Sequence, residues 1–253
     1  HRVDRRQRQM CIRDSDINLL KDNLNSDFNA EWKDIGARKR AAILVNISNE
    51  IESDPYDLIY CLMNEAGKTI QNAIDEIREA VDFLRYYSDQ MIGIEESEPE
   101  LDGPTGELNT LSYSAKGHFL CISPWNFPVA ILIGQISAAL VSGNKVTVKP
   151  SEHTSILGYL VVKKFHDKGV PLDALQLVLG DGEYGDVLSN INNLSGVAFT
   201  GSLPTAKKIQ NNLNQNQNEI LPLIAETGGI NAMIVDSSAL LEQATDDIIR
   251  SAF

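Results

Sequence analysis

Apolar residues recur at helical spacing through the first third of the chain, and in alternating short bursts through the rest. Ala41, Ala42, Ile43, Leu44, Val45, Ile47 and Ile51 stand among Arg38, Arg40, Asn46, Asn49 and Glu50, the spacing of an amphipathic helix. Pro55 suits the opening of a second helix, whose stripe is Leu58, Ile59, Leu62 and Met63. Gly67 suits the left-handed position after its end. Thr69 is placed to cap a third helix carrying Ile70, Ile74, Ile77, Val81 and Leu84 between acidic residues. Residues 15–92 therefore read as a helical N-terminal layer, with Phe83, Tyr86 and Tyr87 as core packing rather than a binding platform. Residues 93–116 read as a connector. Glu95-Glu96-Ser97-Glu98-Pro99 has nothing to bury, and Gly103-Pro104-Thr105-Gly106 is a pair of turn signals.

From residue 117 the rhythm changes. The pattern predicts strands over 118–123, 145–149, 175–179, 197–199, 223–225 and 232–235. Helices are predicted over 128–142, 154–167, 184–190, 203–213 and from about 239 to the end. Alternation at this pitch means parallel strands joined by right-handed crossovers. The fold class is α/β: a parallel sheet with flanking helices over 117–253, preceded by the helical layer. The run Asn211–Asn218 reads as a polar loop or a frayed helix end.

Composition narrows the function. At 253 residues, 43% hydrophobic and 23% charged, the chain is an ordinary soluble globular protein able to bury a sizeable core. A net charge of -13 argues against nucleic acid or an anionic membrane as the main partner, since both need basic surface. No apolar run is long enough to cross a bilayer. The three cysteines, Cys11, Cys61 and Cys121, share no metal or redox spacing, which points to a reduced, cytoplasmic protein with no metal site. Residues 1–14 hold Arg2, Arg5, Arg6, Arg8 and Arg13 with little apolar content. They read as a disordered or non-native leader, or alternatively as a basic arm for a partner. Both ends of the chain read as cut, since it begins at His1 and residues 1–14 differ in composition from the rest of the chain.

Candidate chemistry collects at predicted strand ends, where open α/β sheets bind ligands. The first motif is Ser123-Pro124-Trp125-Asn126-Phe127-Pro128. Pro124 stops a strand, and Pro128 is pre-set for a first helical turn, so three residues are held on a stiff turn. The Asn126 amide can donate to a developing oxyanion, although a turn bracketed by prolines needs no function. The second is Lys149-Pro150-Ser151-Glu152, where an ammonium and a carboxylate can grip a diol such as a ribose. A carboxylate there disfavours a 2′-phosphate. An ordinary surface turn is the alternative. The third, Phe199-Thr200-Gly201-Ser202, opens a helix whose free N–H groups could take a phosphate, or is a plain serine cap. The fourth, Ala225-Glu226-Thr227-Gly228-Gly229, sets a candidate general base before paired glycines, or is a bend with an exposed glutamate. Gly180-Asp181-Gly182-Glu183-Tyr184-Gly185 is a literal G-x-G-x-x-G, but it lies late in the unit and lacks the acidic residue that should follow it.

Together and in this order, the four turn motifs resemble those of the aldehyde dehydrogenase superfamily over about residues 16–253. Within it the chain is most similar to the glutamate-semialdehyde (pyrroline-5-carboxylate) dehydrogenase module of bifunctional proline-utilisation enzymes. That likeness is carried by Glu65-Ala66-Gly67-Lys68-Thr69, Gly103-Pro104-Thr105-Gly106-Glu107, and Ala225–Ile230 running into Asn231–Leu240. The resemblance implies NAD as cofactor and a small-molecule aldehyde as substrate. It implies Asn126 as oxyanion donor, Glu226 as the base that activates water, and Phe127 as lining for the aldehyde tunnel. Lys149 and Glu152 would hold the adenosine ribose, with Ser151 in the same turn, and Gly182 and Gly185 would lie near the adenine. Phe199, Thr200, Gly201, Ser202 and Thr205 would face the pyrophosphate, while Ser123, Pro124, Trp125 and Gly228 would complete the cofactor wall. It also implies a homo-oligomeric parent, and is compatible with fusion to a proline dehydrogenase domain. The family's nucleophilic cysteine belongs a short way after a Ser-Ala-Phe-like segment, and this chain stops at Ser251-Ala252-Phe253. None of its three cysteines fits the role, Cys121 being expected as inert packing, so the polypeptide as written is expected to be inactive.

Overall fold

The structure, a computed structural model, describes residues 11–12, 30–97, 100–216 and 219–252. The expectations for residues 1–10, 13–29, 98–99, 217–218 and 253 lie outside the described residues.

The helical layer comprises α1 (Ala30–Asp34), α2 (Ala37–Ser53), α3 (Tyr56–Glu65) and α4 (Ile70–Glu96). Thr69 caps α4 by accepting a hydrogen bond from the Asn72 N–H at 3.2 Å. Gly67, at φ 68°, ends the preceding helix in the left-handed region. α4 runs four residues into the expected connector, where Glu95 accepts from the Ala37 N–H at 3.2 Å and Glu96 pairs with Arg38 at the start of α2. Beyond it, β2 (Glu100–Leu101) and β3 (Asn109–Thr110) pair antiparallel, so the connector carries a small hairpin.

The α/β unit then runs β4 (His118–Ile122), α5 (Ala130–Val141), β5 (Lys145–Lys149), a 3-10 turn over Glu152–Thr154, and α6 (Ser155–Asp167). It continues through β6 (Leu175–Val178), α7 (Gly182–Ser189), β7 (Leu194–Gly201), α8 (Leu203–Asn216), β8 (Leu223–Thr227) and α9 (Leu241–Ala252). With β1 (Cys11–Ile12) the strands form a six-stranded sheet of order β1-β6-β5-β4-β7-β8, every pairing parallel. Cys11 and Ile12, within the expected leader, pair with Leu177 and Val178 at the sheet edge.

α2 to α6 cover one face of the sheet, and α7 and α8 cover the other. β4 shows the alternation directly. Cys121 belongs to the cluster under the helical layer, while Leu120 and Ile122 belong to the opposite cluster with Val197, Phe199 and Ile209. Strand β7 is longer than expected, because pairing with β4 extends it back to Leu194 and pairing with β8 carries the ladder through Thr200 and Gly201. The strand expected over 232–235 is absent: Met233, Ile234 and Val235 are exposed and pair with no described strand. Extended apolar residues become a strand only where a neighbour takes their N–H and C=O groups. In the aromatic cluster, Phe83 and Tyr87 pack as expected, but Tyr86 is 56% exposed.

Candidate functional site

From β4 the chain winds outward through β5 and β6, then returns to the other side of β4 for β7 and β8. The switch point between β4 and β7 leaves a crevice at the carboxyl ends of the strands. Register sets the turn motifs abreast there. Ile122 lies opposite Lys149 on one side and Phe199 on the other, and Thr200 lies opposite Glu226.

A cavity of about 1200 Å³ opens at this crevice. Ser123, Pro124, Trp125 and Asn126 line it after β4, and Lys149, Ser151 and Glu152 after β5. Gly182 and Gly185 come from α7, and Phe199, Thr200, Gly201, Ser202 and Thr205 from the β7–α8 turn. Glu226 and Gly228 come from the end of β8. Phe127 is not part of this lining. Its ring faces the helical layer, with the Lys68 ammonium 3.7 Å from its centroid.

Trp125 is 57% exposed, so the turn between the two prolines presents its indole instead of burying it. Ser123 is buried, and its Oγ has no hydrogen-bond partner among the described residues. Lys149 is 4% exposed; its ammonium donates to the Pro150 carbonyl at 3.2 Å and stands 3.8 Å from the Glu152 carboxylate. Burial pushes its pKa down, against the opposing pull of Glu152 and Asp181. Asp181 caps α7 by accepting from the Glu183 N–H at 2.9 Å, so the G-x-G-x-x-G segment is a capped helix start. A Cβ on Gly182 would meet nothing within 4 Å, and one on Gly185 would only touch the Lys149 stem at 3.8 Å. Gly201 is different: a Cβ there would fall 2.7 Å from the Phe199 ring. Ser202 serves as the start of α8, its hydroxyl 2.9 Å from that of Thr205. Cys121 is fully buried, and desolvation alone raises its thiol to about 12. No cluster of metal-ligating side chains occurs among the described residues.

Several wall residues carry no sequence signal. Gln135 on α5 donates to the Ile122 carbonyl at 3.3 Å and to Thr200 Oγ1 at 3.1 Å, tying β4 to β7 below the Asn126 turn. Asp186 on α7 meets Lys208 at 3.1 Å and Asn212 at 2.8 Å on α8, and these hydrogen bonds hold its carboxyl below the usual range. On an amphipathic helix such residues look like any solvated polar position, and only the crossovers bring them together.

The architecture is that of a doubly wound α/β unit with its cleft at the switch point. The sequence model of the Aldehyde dehydrogenase family matches residues 13–253, and the chain belongs to that family. Among curated proteins it is 44% identical over 226 residues to the Bifunctional protein PutA of Klebsiella aerogenes, covering 88% of this chain and 16% of that one. It is 35% identical over 227 residues to the 1-pyrroline-5-carboxylate dehydrogenase of Oceanobacillus iheyensis, covering 88% of this chain and 44% of that one. Among solved structures, a mutant proline utilization A from Bradyrhizobium japonicum superposes with a TM-score of 0.91 at 43% identity, covering 96% of this chain and 25% of that one. A betaine aldehyde dehydrogenase from Staphylococcus aureus, solved with NAD+, gives 0.83 at 25% identity, covering 88% of this chain and 44% of that one. The chain thus spans less than half the length of these relatives.

Proposed function

We propose that this chain forms the NAD-binding part of a dehydrogenase that oxidises L-glutamate γ-semialdehyde, the open form of pyrroline-5-carboxylate, to L-glutamate in proline catabolism. The observation that carries the reading is the convergence of all four turn motifs on one cavity at the switch point of the sheet. The substrate rests on relatives named for pyrroline-5-carboxylate and proline utilisation.

The lining suits a dinucleotide. The unpartnered Ser123 hydroxyl offers a hydrogen bond, and the side-chain-free surface at Gly182 leaves room for a flat ring. Lys149 and Glu152 present a donor and an acceptor to a ribose diol, with Ser151 beside them. The β7–α8 turn, Phe199 to Thr205, offers Gly201, Ser202 and the first N–H groups of α8 to phosphate oxygens. When bound, NAD+ would supply the hydride acceptor. Asn126 Nδ2 donates to the oxygen of the aldehyde as charge develops on it. The Glu226 carboxylate, exposed at the end of β8, takes a proton from the attacking water. Pro124, Trp125 and Gly228 close the remaining wall, and Phe127 flanks the aldehyde's approach. A cysteine thiolate is the family's nucleophile. Cys121, buried and protonated, is not that group. The complete protein is a cytoplasmic homo-oligomer in this reading, which is compatible with a fused proline dehydrogenase domain.

Calorimetric titration of the 253-residue chain with NAD+ tests the reading. Saturable heat with one site per chain, and no aldehyde-dependent NADH, is the expected result. Absence of binding overturns the cofactor assignment, and turnover by the pure chain overturns the view of Cys121.

A further inference from the structure

The two turns that open the cavity each lead to an α-helix with no side-chain cap of its own, although the 3-10 turn Glu152–Thr154 ahead of α6 is capped by Ser151, which accepts from the His153 N–H at 3.3 Å. The residue before α5 is Val129 and that before α6 is Thr154, and neither makes a capping hydrogen bond. Their first N–H groups are satisfied from outside the α/β unit. Glu76 of α4 accepts from the Val129 and Ala130 N–H groups at 2.7 and 3.1 Å through Oε1. Glu65, the last residue of α3, accepts from the Ile156 and Leu157 N–H groups at 2.9 Å each, one to each oxygen. Glu65 stands immediately before the corner Ala66-Gly67-Lys68-Thr69, and Glu76 stands further along the helix that leaves it. Lys68 joins them to the site: its ammonium is 2.6 Å from Glu76 Oε2 and lies over the Phe127 ring. The side chain of Glu76 is fully buried and that of Lys68 nearly so.

We infer that the α3–α4 corner is a positioning clamp for both cavity turns, acting through Glu76 and Lys68 on the Asn126 turn and through Glu65 on the Lys149 turn. Without a cap, a helix start frays and the residues just before it gain freedom. Here Trp125 to Pro128 run into α5 through Val129, and Lys149 to Ser151 reach α6 through the 3-10 turn Glu152–Thr154. Carboxylates held against helix N-termini gain from both the N–H groups and the helix dipole. One rigid corner gripping two helices therefore fixes the distance between the two turns. The link to NAD affinity rests on the reading proposed above; the link to turn geometry does not.

Hydrogen exchange on Glu76→Gln, Lys68→Met and Glu65→Gln variants of this chain tests it. Glu65→Gln is included because Glu65 is only half-buried, so that variant stays folded if Glu76→Gln does not. Weakening a charge-assisted hydrogen bond to a neutral one predicts roughly tenfold faster exchange. It should fall at Val129 and Ala130 for Glu76→Gln, and at Ile156 and Leu157 for Glu65→Gln, with β5 and β6 amides unchanged. Acrylamide quenching supplies a second readout. Trp32 is 2% exposed, so the quenchable fluorescence is that of Trp125, and quenching should rise in Glu76→Gln and Lys68→Met. NAD+ affinity should fall in Glu65→Gln at temperatures far below its melting point. Unchanged local exchange, or acceleration spread evenly over the whole chain, overturns the clamp. Local acceleration in a chain that binds no NAD+ supports the clamp and removes the cofactor reading instead.

Discussion

Replacing Lys149 by methionine isolates what its buried ammonium does for the ligand. Methionine keeps the unbranched stem that runs under Gly185 and removes only the charge. In the wild type that charge is 4% exposed, with the Pro150 carbonyl at 3.2 Å and the Glu152 carboxylate at 3.8 Å. A charged donor to a ribose hydroxyl is worth about 1.5–3 kcal/mol. NAD+ should therefore bind roughly 10- to 150-fold more weakly to Lys149→Met by calorimetry. Stability should move the other way or stay level. Burial holds the Lys149 pKa down, so keeping the charge opposes folding at neutral pH, and that opposition fades as pH rises from the folded to the unfolded pKa. The same shift gives the wild type an alkaline loss of affinity that begins below the usual lysine range and is missing from the variant. Binding of NAD+ within about twofold of wild type, with no difference in pH profile, would refute the assignment of Lys149 to the ligand.

Glu152→Gln should narrow the preference for NAD+ over NADP+, because a carboxylate beside the diol repels a 2′-phosphate; paired titrations measure it. His118 is buried, its Nε2 2.8 Å from Thr147 Oγ1, and desolvation lowers its pKa from 6.5 to about 3. Its contribution is whole above pH 6.5 and is lost as pH falls toward 3, at up to roughly 1.4 kcal/mol per pH unit; urea unfolding of His118→Gln at pH 4.5 to 7.5 should show a shallower slope than wild type. A methyl on Gly158 of α6 would fall 2.5 Å from Pro150 Cγ, and the proline ring cannot turn aside. Gly158→Ala should cost about 1–3 kcal/mol and disturb the adjoining Lys149 turn, read as lower Tm and weaker NAD+ binding. Iodoacetamide at pH 8 should leave Cys121 unmodified until denaturant is added, as a buried thiol at about 12 requires; rapid labelling in the native state would contradict that burial.

The sequence alone settled the things that local chemistry controls. Helical spacing, Thr69 and Gly67 located α4 and the corner before it, and short apolar bursts between turn residues located β4 to β8 and their helices. Proline and glycine punctuation marked the turns that carry Asn126, Lys149, Ser202 and Glu226, because φ restriction and φ > 0 depend on the residue itself. What the chain could not reveal by itself is which strands become neighbours. The crossover order sets β4 between β5 and β7, and only that order brings Lys149, Phe199 and Glu226 level around one crevice. Met233, Ile234 and Val235 show the same limit from the other side: their pattern fits a strand, but pairing is a property of the partner as much as of the residues. Glu65 and Glu76 are two of many acidic positions on amphipathic helices. Their burial against the starts of α6 and α5 follows from packing two layers together, since a carboxylate becomes a cap only where uncapped N–H groups are brought within its reach.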